Sequence, residues 1–147
     1  MSLKEQLNDT MKQAMKARDE LRLSAVRMVK SAVKNREIDL KKELDDQGIT
    51  EVISTLVKQR RESIRMYQEG NRQDLADKEK AELDILLGFL PAQLSPEEIE
   101  GLVRQVIAET GAADVKDLGR VMKAISPLTA GKADGKVVSE TVKKLLS

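Results

Sequence analysis

The sequence predicts an all-α protein, with an N-terminal domain of about four helices followed by a small three-helix C-terminal domain. Apolar residues recur every three to four positions along most of the chain, and no segment alternates with the period of a strand. Tyr67 and Phe89 are the only aromatic residues, so aliphatic and methionine side chains must fill the core. With 35% charged residues, this composition is typical of amphipathic helices packed on helices.

The N-terminal domain begins with two amphipathic patterns. The first starts at Leu3 and is predicted to end near Arg18. The second starts near Leu21 and continues to about Leu44, and the polar segment 45–48, which ends in glycine, is the predicted break.

Two further helices complete the predicted N-terminal domain. Thr50 is the predicted N-cap of the third helix, and Gly70 is expected to end it in a left-handed conformation. Asn71 and Asp74 indicate the start of a fourth helix. Pro91 is predicted to stop that helix, because proline disfavours helical backbone in the residue before it.

The strongest helix start lies at Ser95. Pro96 follows at the first helical position, and Glu98 is placed to close a capping box with the serine. We therefore predict a domain boundary here, with an N-terminal domain of residues 1–94 and a C-terminal domain of residues 95–147.

The C-terminal domain carries three apolar patterns. The first helix is expected to end at Gly111, a shorter helix to run from Asp114 to just before Pro127, and the last to begin near Asp134.

The composition excludes several classes of site. Cysteine and histidine are both absent, which removes thiol nucleophiles, disulfides, Cys/His zinc sites and imidazole acid-base catalysis. The acidic run at Glu97, Glu98 and Glu100 is explained by the favourable effect of acids in a first helical turn. We therefore expect no catalytic residue, no metal site and no cofactor.

The same composition predicts a cytoplasmic protein with no membrane segment. The longest apolar run, Ile85 to Leu90, has six residues, far fewer than the roughly 20 needed to span a bilayer. The polar N-terminal residues lack the apolar core of a secretory signal, and the absence of cysteine fits a reducing compartment.

Charge is unevenly distributed although the net charge is only +1. Residues 95–117 carry a net charge of −4 and residues 118–147 a net charge of +4. Residues 11–42 form a second basic block, with a net charge of +6. Clustered Lys and Arg are typical of proteins that bind phosphate backbones. In the second block, however, Lys30 and Lys34 fall between apolar positions, so a solvated helix face accounts for them.

The basic part of the tail also contains glycines, which charge alone does not require. Gly131 and Gly135 flank Lys132, where glycine allows positive φ and close approach by another molecule. Turn chemistry between two helices explains the same glycines equally well. The candidate RNA-binding residues are Arg120, Lys123, Gly131, Lys132, Gly135 and Lys136.

The tail resembles the C-terminal module shared by YqeY-like proteins and the B subunit of the tRNA-dependent amidotransferase. The matching residues are Gly119, Val121-Met122-Lys123, Gly131-Lys132-Ala133 and the helical pattern from Val138 to Leu145. The segments MSLKEQLNDTMKQAMKARDELRLSAVRMVKSAVKN and ELDILLGFLPAQLSPEEI resemble the YqeY-like N-terminal domain, so the resemblance covers essentially the whole chain.

The resemblance implies a role around tRNA without chemistry of its own. In the amidotransferase, the similar module grips the tRNA body, while a separate domain and a partner subunit carry out the amidation, a carbon-nitrogen ligation with glutamine as the amide donor. This chain of 147 residues has no room for that catalytic domain. One departure is visible, because Asp134-Gly135 stands where the amidotransferase subunit usually has Asn-Pro, and the added carboxylate is expected to weaken RNA contact.

Two main hypotheses follow. The first is a non-catalytic tRNA-binding or tRNA-associated accessory protein that recognises folded RNA by its backbone, since two aromatics cannot supply a base-stacking platform. The alternative is a helical protein-interaction module that docks on a translation-related partner, such as a synthetase or amidotransferase subunit. An enzyme acting through Asp, Glu, Lys or Tyr67 is the third and weakest reading.

Overall fold

The computed structural model describes residues 2–147 and confirms the all-α prediction, with no strand in that range. A single turn of 3-10 helix, Val115–Asp117, precedes the sixth of seven α-helices. These are α1 Leu3–Ala17, α2 Glu20–Leu40, α3 Asp46–Glu69, α4 Gln73–Leu87, α5 Pro96–Thr110, α6 Leu118–Thr129 and α7 Gly135–Leu146.

The first helix follows the prediction and the second ends early. The hydroxyl of Ser2 caps α1 by accepting from the backbone N–H of Glu5, and Arg18 ends the helix with φ 55°. α2 ends at Leu40 and not near Leu44, because Lys41 takes the left-handed conformation, also with φ 55°. A left-handed residue commonly terminates a helix, and here a lysine adopts that conformation.

α3 begins earlier than predicted. Asp45, and not Thr50, is its N-cap, because the Asp45 carboxylate accepts from the backbone N–H of Gly48 at 2.9 Å. The polar segment predicted to be a break is therefore the cap and first turn of the helix. Thr50 lies inside α3, where its hydroxyl donates to the carbonyl of Asp46 at 2.8 Å.

The turn between α3 and α4 also differs from the prediction. Gly70 has φ −87°, whereas Asn71 adopts the left-handed conformation with φ 57°. Asparagine tolerates that region, so the turn does not require glycine there. α4 ends at Leu87, and a hydrogen-bonded turn through Leu90 precedes Pro91.

The N-terminal helices bury one aliphatic core. α1 and α3 each pack against α2, and α4 packs against α3 and α2. The fully buried members of this core are Leu3, Leu7, Val26, Val29, Val33, Ile49, Ile53, Val57 and Leu86. Aliphatic residues thus fill the core, as the scarcity of aromatics predicts.

The predicted capping box at the start of α5 is present. Ser95 Oγ accepts from the N–H of Glu98, and the Glu98 carboxylate accepts from the N–H of Ser95, both at 3.1 Å. Gly111 ends α5 with φ 69°, as predicted. The predicted end of α6 before Pro127 is wrong, since α6 continues to Thr129 with the proline in its last turn. Pro127 and Lys123 are both exposed, so water can bind the carbonyl that proline leaves without a donor.

The three C-terminal helices bury a second core of their own, in which each helix packs against the other two. Its fully buried members are Ile99, Val103, Val106, Val121, Ile125, Val138, Val142 and Leu146. The chain divides into two compact units, one ending at Leu90 and one spanning Pro91–Ser147. The predicted boundary between residues 94 and 95 lies close to this division and stays a prediction.

Candidate nucleic-acid interface

α6 presents two of the candidate basic residues. Val121, Ile125 and Thr129 form its buried face, which leaves Arg120 and Lys123 exposed. Arg120 forms a 3.3 Å ion pair with Asp117, one turn earlier. Lys123 forms no ion pair with any residue in the described range 2–147, so its charge is open to an external anion.

The turn between α6 and α7 holds the next two candidates. Gly131 has φ 72°, a conformation that glycine allows. The N–H of Lys132 donates to the carbonyl of Thr129 at 2.9 Å, and that same carbonyl accepts from Ala133 at 3.1 Å. The turn thus has a fixed backbone, while the Lys132 side chain is exposed.

Two residues that precede α5 donate hydrogen bonds to this turn. Gln93 Nε2 donates to the carbonyl of Gly131, and the N–H of Leu94 donates to the carbonyl of Lys132, each at 2.8 Å. These hydrogen bonds restrict the backbone conformation of the turn in the unbound protein. Less conformational entropy is then lost when Lys132 binds a partner.

Gly135 and Lys136 are the first two residues of α7. The structure agrees with only part of what the sequence predicts for them. Gly135 does not adopt positive φ, and a side-chain carbon built on it meets no atom of this chain within 4 Å. Asp134 is the N-cap, since its carboxylate accepts from the N–H of Lys136 at 2.9 Å. The departure from the Asn-Pro pattern therefore has a local structural role, while the Lys136 ammonium is exposed.

The candidate residues form two neighbouring groups. Gly131, Lys132, Gly135 and Lys136 share the turn and the first residues of α7. Lys123 lies six residues before the end of α6, about 9 Å along the helix axis, because each residue rises about 1.5 Å. Arg120 lies one further turn away.

Acidic groups in the same domain are mostly engaged with local partners. Arg104 lowers the pKa of Glu100 by hydrogen bonding and charge, and Lys144 adds a smaller charge effect. The N–H of Ala113 is the main cause of the lowered pKa of Asp117, with Arg120 a further one. Lys123, Lys132 and Lys136 lack such partners among the described residues.

The second basic block is less uniform than the sequence predicts. Lys34 and Lys41 on and beside α2 are exposed, in agreement with a solvated face. Lys30 is half-buried, and its ammonium contacts the sulfur of Met11 at 3.8 Å. A solvated face accounts for the first two lysines but not for Lys30.

A largely buried ionic cluster in the N-terminal unit is absent from the sequence-based predictions. Arg60 on α3 lies 2.6 Å from carboxylate oxygens of both Glu79 and Glu82 on α4, and it also contacts the sulfur of Met28 at 2.8 Å. Glu82 is only 8% exposed. The i, i+3 spacing of the two glutamates is the one sequence signal that could have marked this cluster.

Two further classes of site find no support in residues 2–147. No group of three or more acidic, histidine or cysteine side chains is arranged to hold a metal ion within this range. Within the same range, no helix combines the length and apolarity needed to cross a bilayer.

Comparison with known proteins identifies the family. The family model described as Yqey-like protein matches residues 4–146. The chain belongs to the Yqey-like protein family. This agrees with the resemblance seen in the tail and in the first helices.

The curated relatives come from yeasts and share the name Altered inheritance of mitochondria protein 41, mitochondrial. The protein from Lachancea thermotolerans is 37% identical over 107 residues, 70% of this chain and 57% of its own length. That from Vanderwaltozyma polyspora is 35% identical over 119 residues, 76% of this chain and 64% of its own. That from Kluyveromyces lactis is 38% identical over 106 residues, 70% of this chain and 57% of its own. The chain therefore spans about three fifths of these relatives.

These relatives bear on two of the expectations. The prediction of a cytoplasmic protein is contradicted, because each relative is named as a mitochondrial protein. The name that they share states no catalytic activity.

Proposed function

We propose that this Yqey-like protein is a non-catalytic accessory protein that binds the backbone of a folded RNA, with tRNA as the first candidate. The observation that supports it best is the turn at Gly131 and Lys132. Its backbone is held by Gln93 and Leu94, and it presents an unpaired lysine beside Lys136. The resemblance of this tail to the amidotransferase module makes tRNA the RNA to test first.

The chemistry of the surface favours recognition by shape and charge. Lys123, Lys132 and Lys136 supply ammonium groups, while neither aromatic residue of the chain lies in the C-terminal unit. Base stacking therefore cannot contribute here, and sequence preference should be weak. If Arg120 joins the three lysines in phosphate contacts, log affinity should fall with log salt concentration by a slope of about −3 to −4.

The decisive variant reverses two charges on the candidate surface. We expect Lys123→Glu with Lys132→Glu to weaken binding of folded tRNA at low salt and to flatten the salt slope by about two units, as measured by fluorescence anisotropy. Lys12→Glu with Lys16→Glu on α1 is the matched control, because both lysines are exposed and the net charge changes equally. If the control variant loses as much tRNA affinity as the tail variant, the loss comes from the change in net charge and not from the proposed surface.

Two other outcomes would reject the proposal. One is the absence of salt-sensitive binding at micromolar protein concentration. The other is a larger loss of tRNA binding from reversal at Lys30 and Lys34 than from reversal at Lys123 and Lys132. Neither tail substitution should alter the free energy of unfolding by more than a fraction of a kcal/mol, since both side chains are exposed.

A protein-docking role is the second candidate, and one groove favours it. An open groove of about 530 Å³ between α2 and α3 is lined by Leu40, Leu44, Val52 and Leu56 among polar side chains. Leu40 is 40% exposed. If a translation-related partner such as a synthetase docks here, Leu40→Glu should abolish its copurification while tRNA binding is retained.

A link to tRNA-dependent amidation rests on family resemblance alone. We propose that the chain contributes RNA binding to such a process and no turnover of its own. Purified protein should consume neither ATP nor glutamine in the presence of misacylated tRNA. Turnover that survives stringent purification would overturn the non-catalytic assignment.

A further inference from the structure

A groove between α1 and α2 carries a concentration of positive charge that the proposed RNA surface does not use. Its volume is about 490 Å³, and its polar lining consists of Lys4, Asn8, Lys30, Ser31, Lys34 and Glu37. The rest of the lining is aliphatic. Three lysines and one glutamate therefore line a single groove.

The Glu37 carboxylate already accepts hydrogen bonds from two groups of its own chain. Its carboxylate accepts from the N–H of Leu44 at 2.8 Å and from Lys4 Nζ at 3.0 Å. These two hydrogen bonds lower the pKa of Glu37, so the group is ionised at neutral pH. The negative charge of Glu37 is therefore paired with Lys4. The groove lining contains no other carboxylate to pair with Lys30 or Lys34.

Lys30 is the lysine of this groove whose surroundings favour an anionic ligand most. The side chain is half-buried, yet its ammonium has only the Met11 sulfur as a partner, at 3.8 Å. A thioether is a weak acceptor, and a partly desolvated ammonium without a counter-charge is unfavourable. Lys34, one turn further along α2, has no ion-pair partner among residues 2–147.

We propose that this groove binds a polyphosphate group, either inorganic polyphosphate or the phosphate end of a nucleotide. Lys30 and Lys34 would supply the charges, and the Asn8 amide and Ser31 hydroxyl would donate hydrogen bonds to phosphate oxygens. Several cations spread along a groove suit linked phosphates better than a single one. No aromatic residue lines the groove, so the site has no platform for a base.

The site is separate from the RNA surface proposed above, since it lies wholly on α1, α2 and the start of α3 in the N-terminal unit. Its test uses the intact chain with inorganic tripolyphosphate as the probe. Titration followed by amide chemical shifts should give saturable changes confined to residues 4–11, 28–37 and the start of α3 around Ile49. ATP should bind within about threefold of tripolyphosphate, and monophosphate about tenfold more weakly, because charge alone is recognised.

Two double variants that remove the same charge test whether tripolyphosphate binds in the groove. Lys30→Met with Lys34→Gln should weaken tripolyphosphate binding at least about tenfold, as expected when charge-assisted hydrogen bonds are lost. Lys12→Gln with Lys16→Gln removes the same charge from the exposed part of α1 and should change the dissociation constant less than about twofold. Equal losses in both variants, or shifts centred on residues 120–136, would overturn the proposal.

A stability readout separates loss of binding from loss of folding. Without ligand, Lys30→Met should raise the thermal midpoint, because it removes a half-buried charge and keeps most of the aliphatic side chain. Tripolyphosphate should raise the midpoint of the parent chain more than that of this variant. A variant that unfolds at a lower temperature would contradict the argument that Lys30 lacks a counter-charge. A much tighter affinity for ATP than for tripolyphosphate would contradict recognition through phosphate alone.

Discussion

The backbone N–H of Leu94 donates to the carbonyl of Lys132 at 2.8 Å. This contact joins the residues before α5 to the turn between α6 and α7, and the amide of Gln93 reinforces it through the carbonyl of Gly131. The backbone of the basic turn is therefore set by a segment 38 residues away in the chain. The lysine side chain remains exposed on a turn of fixed shape.

Loss of this tether should affect both the turn and RNA binding. We expect Gln93→Ala to reduce the free energy of unfolding of the C-terminal unit by about 1 to 2 kcal/mol, because its amide donates to the carbonyls of both Gly131 and Pro91. Affinity for tRNA should fall as well, because the turn that carries Lys132 would keep only the hydrogen bond from Leu94. Gln105→Ala is the control, since Gln105 donates only to Glu109 on an exposed part of α5. Urea unfolding and anisotropy titration measure the two effects.

Limited proteolysis should reveal where the two units separate. Gly88, Pro91 and Ala92 are exposed, while Gln93 and Leu94 are hydrogen-bonded to the turn. A protease of broad specificity should therefore cut between residues 88 and 92 in preference to residues 93–95. Mass spectrometry of the first fragments locates the cut. Early cleavage inside α5 or α6 would contradict this division of the chain.

Substitution of two tail glycines by alanine should have different effects on stability. Gly131→Ala forces φ 72° on a residue with a side chain and should reduce stability by about 1 kcal/mol. Gly135→Ala meets no atom within 4 Å and should be neutral or slightly stabilising. If RNA approaches the start of α7 closely, Gly135→Ala should nonetheless weaken tRNA binding. Unchanged tRNA affinity in that variant would remove Gly135 from the binding surface.

Loss of the Arg60 cation between α3 and α4 should destabilise the N-terminal unit more than loss of an exposed ion pair. Arg60→Met leaves Glu79 and Glu82 without their cation and should cost about 3 kcal/mol or more. Arg65→Met is the matched control, because Arg65 bridges two glutamates on an exposed face and its loss should cost much less. Chemical denaturation compares the two variants. Similar losses would show that the burial of the Arg60 cluster has no energetic consequence.

The Glu37 contacts predict a dependence of stability on pH. The N–H of Leu44 and then Lys4 lower the pKa of Glu37 in the folded state, so the folded chain binds fewer protons there than the unfolded chain. The stabilisation is present above the ordinary pKa of 4.5 and is lost as the pH falls through the lower folded value. Glu37→Gln should therefore destabilise the protein at pH 7 but match the parent chain in strong acid. Glu43→Gln, which removes the same charge from an exposed side chain, is the control for net charge.

Local features of the sequence determine most of the secondary structure. The capping box at Ser95 and Glu98 and the left-handed end at Gly111 involve partners within about four residues, so the sequence displays them directly. The apolar period likewise identifies the faces that become the two cores, and thus leaves Lys123 exposed. The errors at Thr50, Gly70 and Pro127 concern helix ends, where several nearby residues can serve and packing selects among them.

Only the tertiary structure decides which distant groups meet. The Arg60 contacts to α4 join residues 19 and 22 positions apart, and the Lys4 contact to Glu37 joins residues 33 apart. No local pattern encodes such pairs, because each member alone is compatible with a solvated helix face. The sequence therefore predicted the helices and the exposure of the tail lysines. The tether on the turn, the buried Arg60 cluster and the basic groove between α1 and α2 depend on how the helices pack.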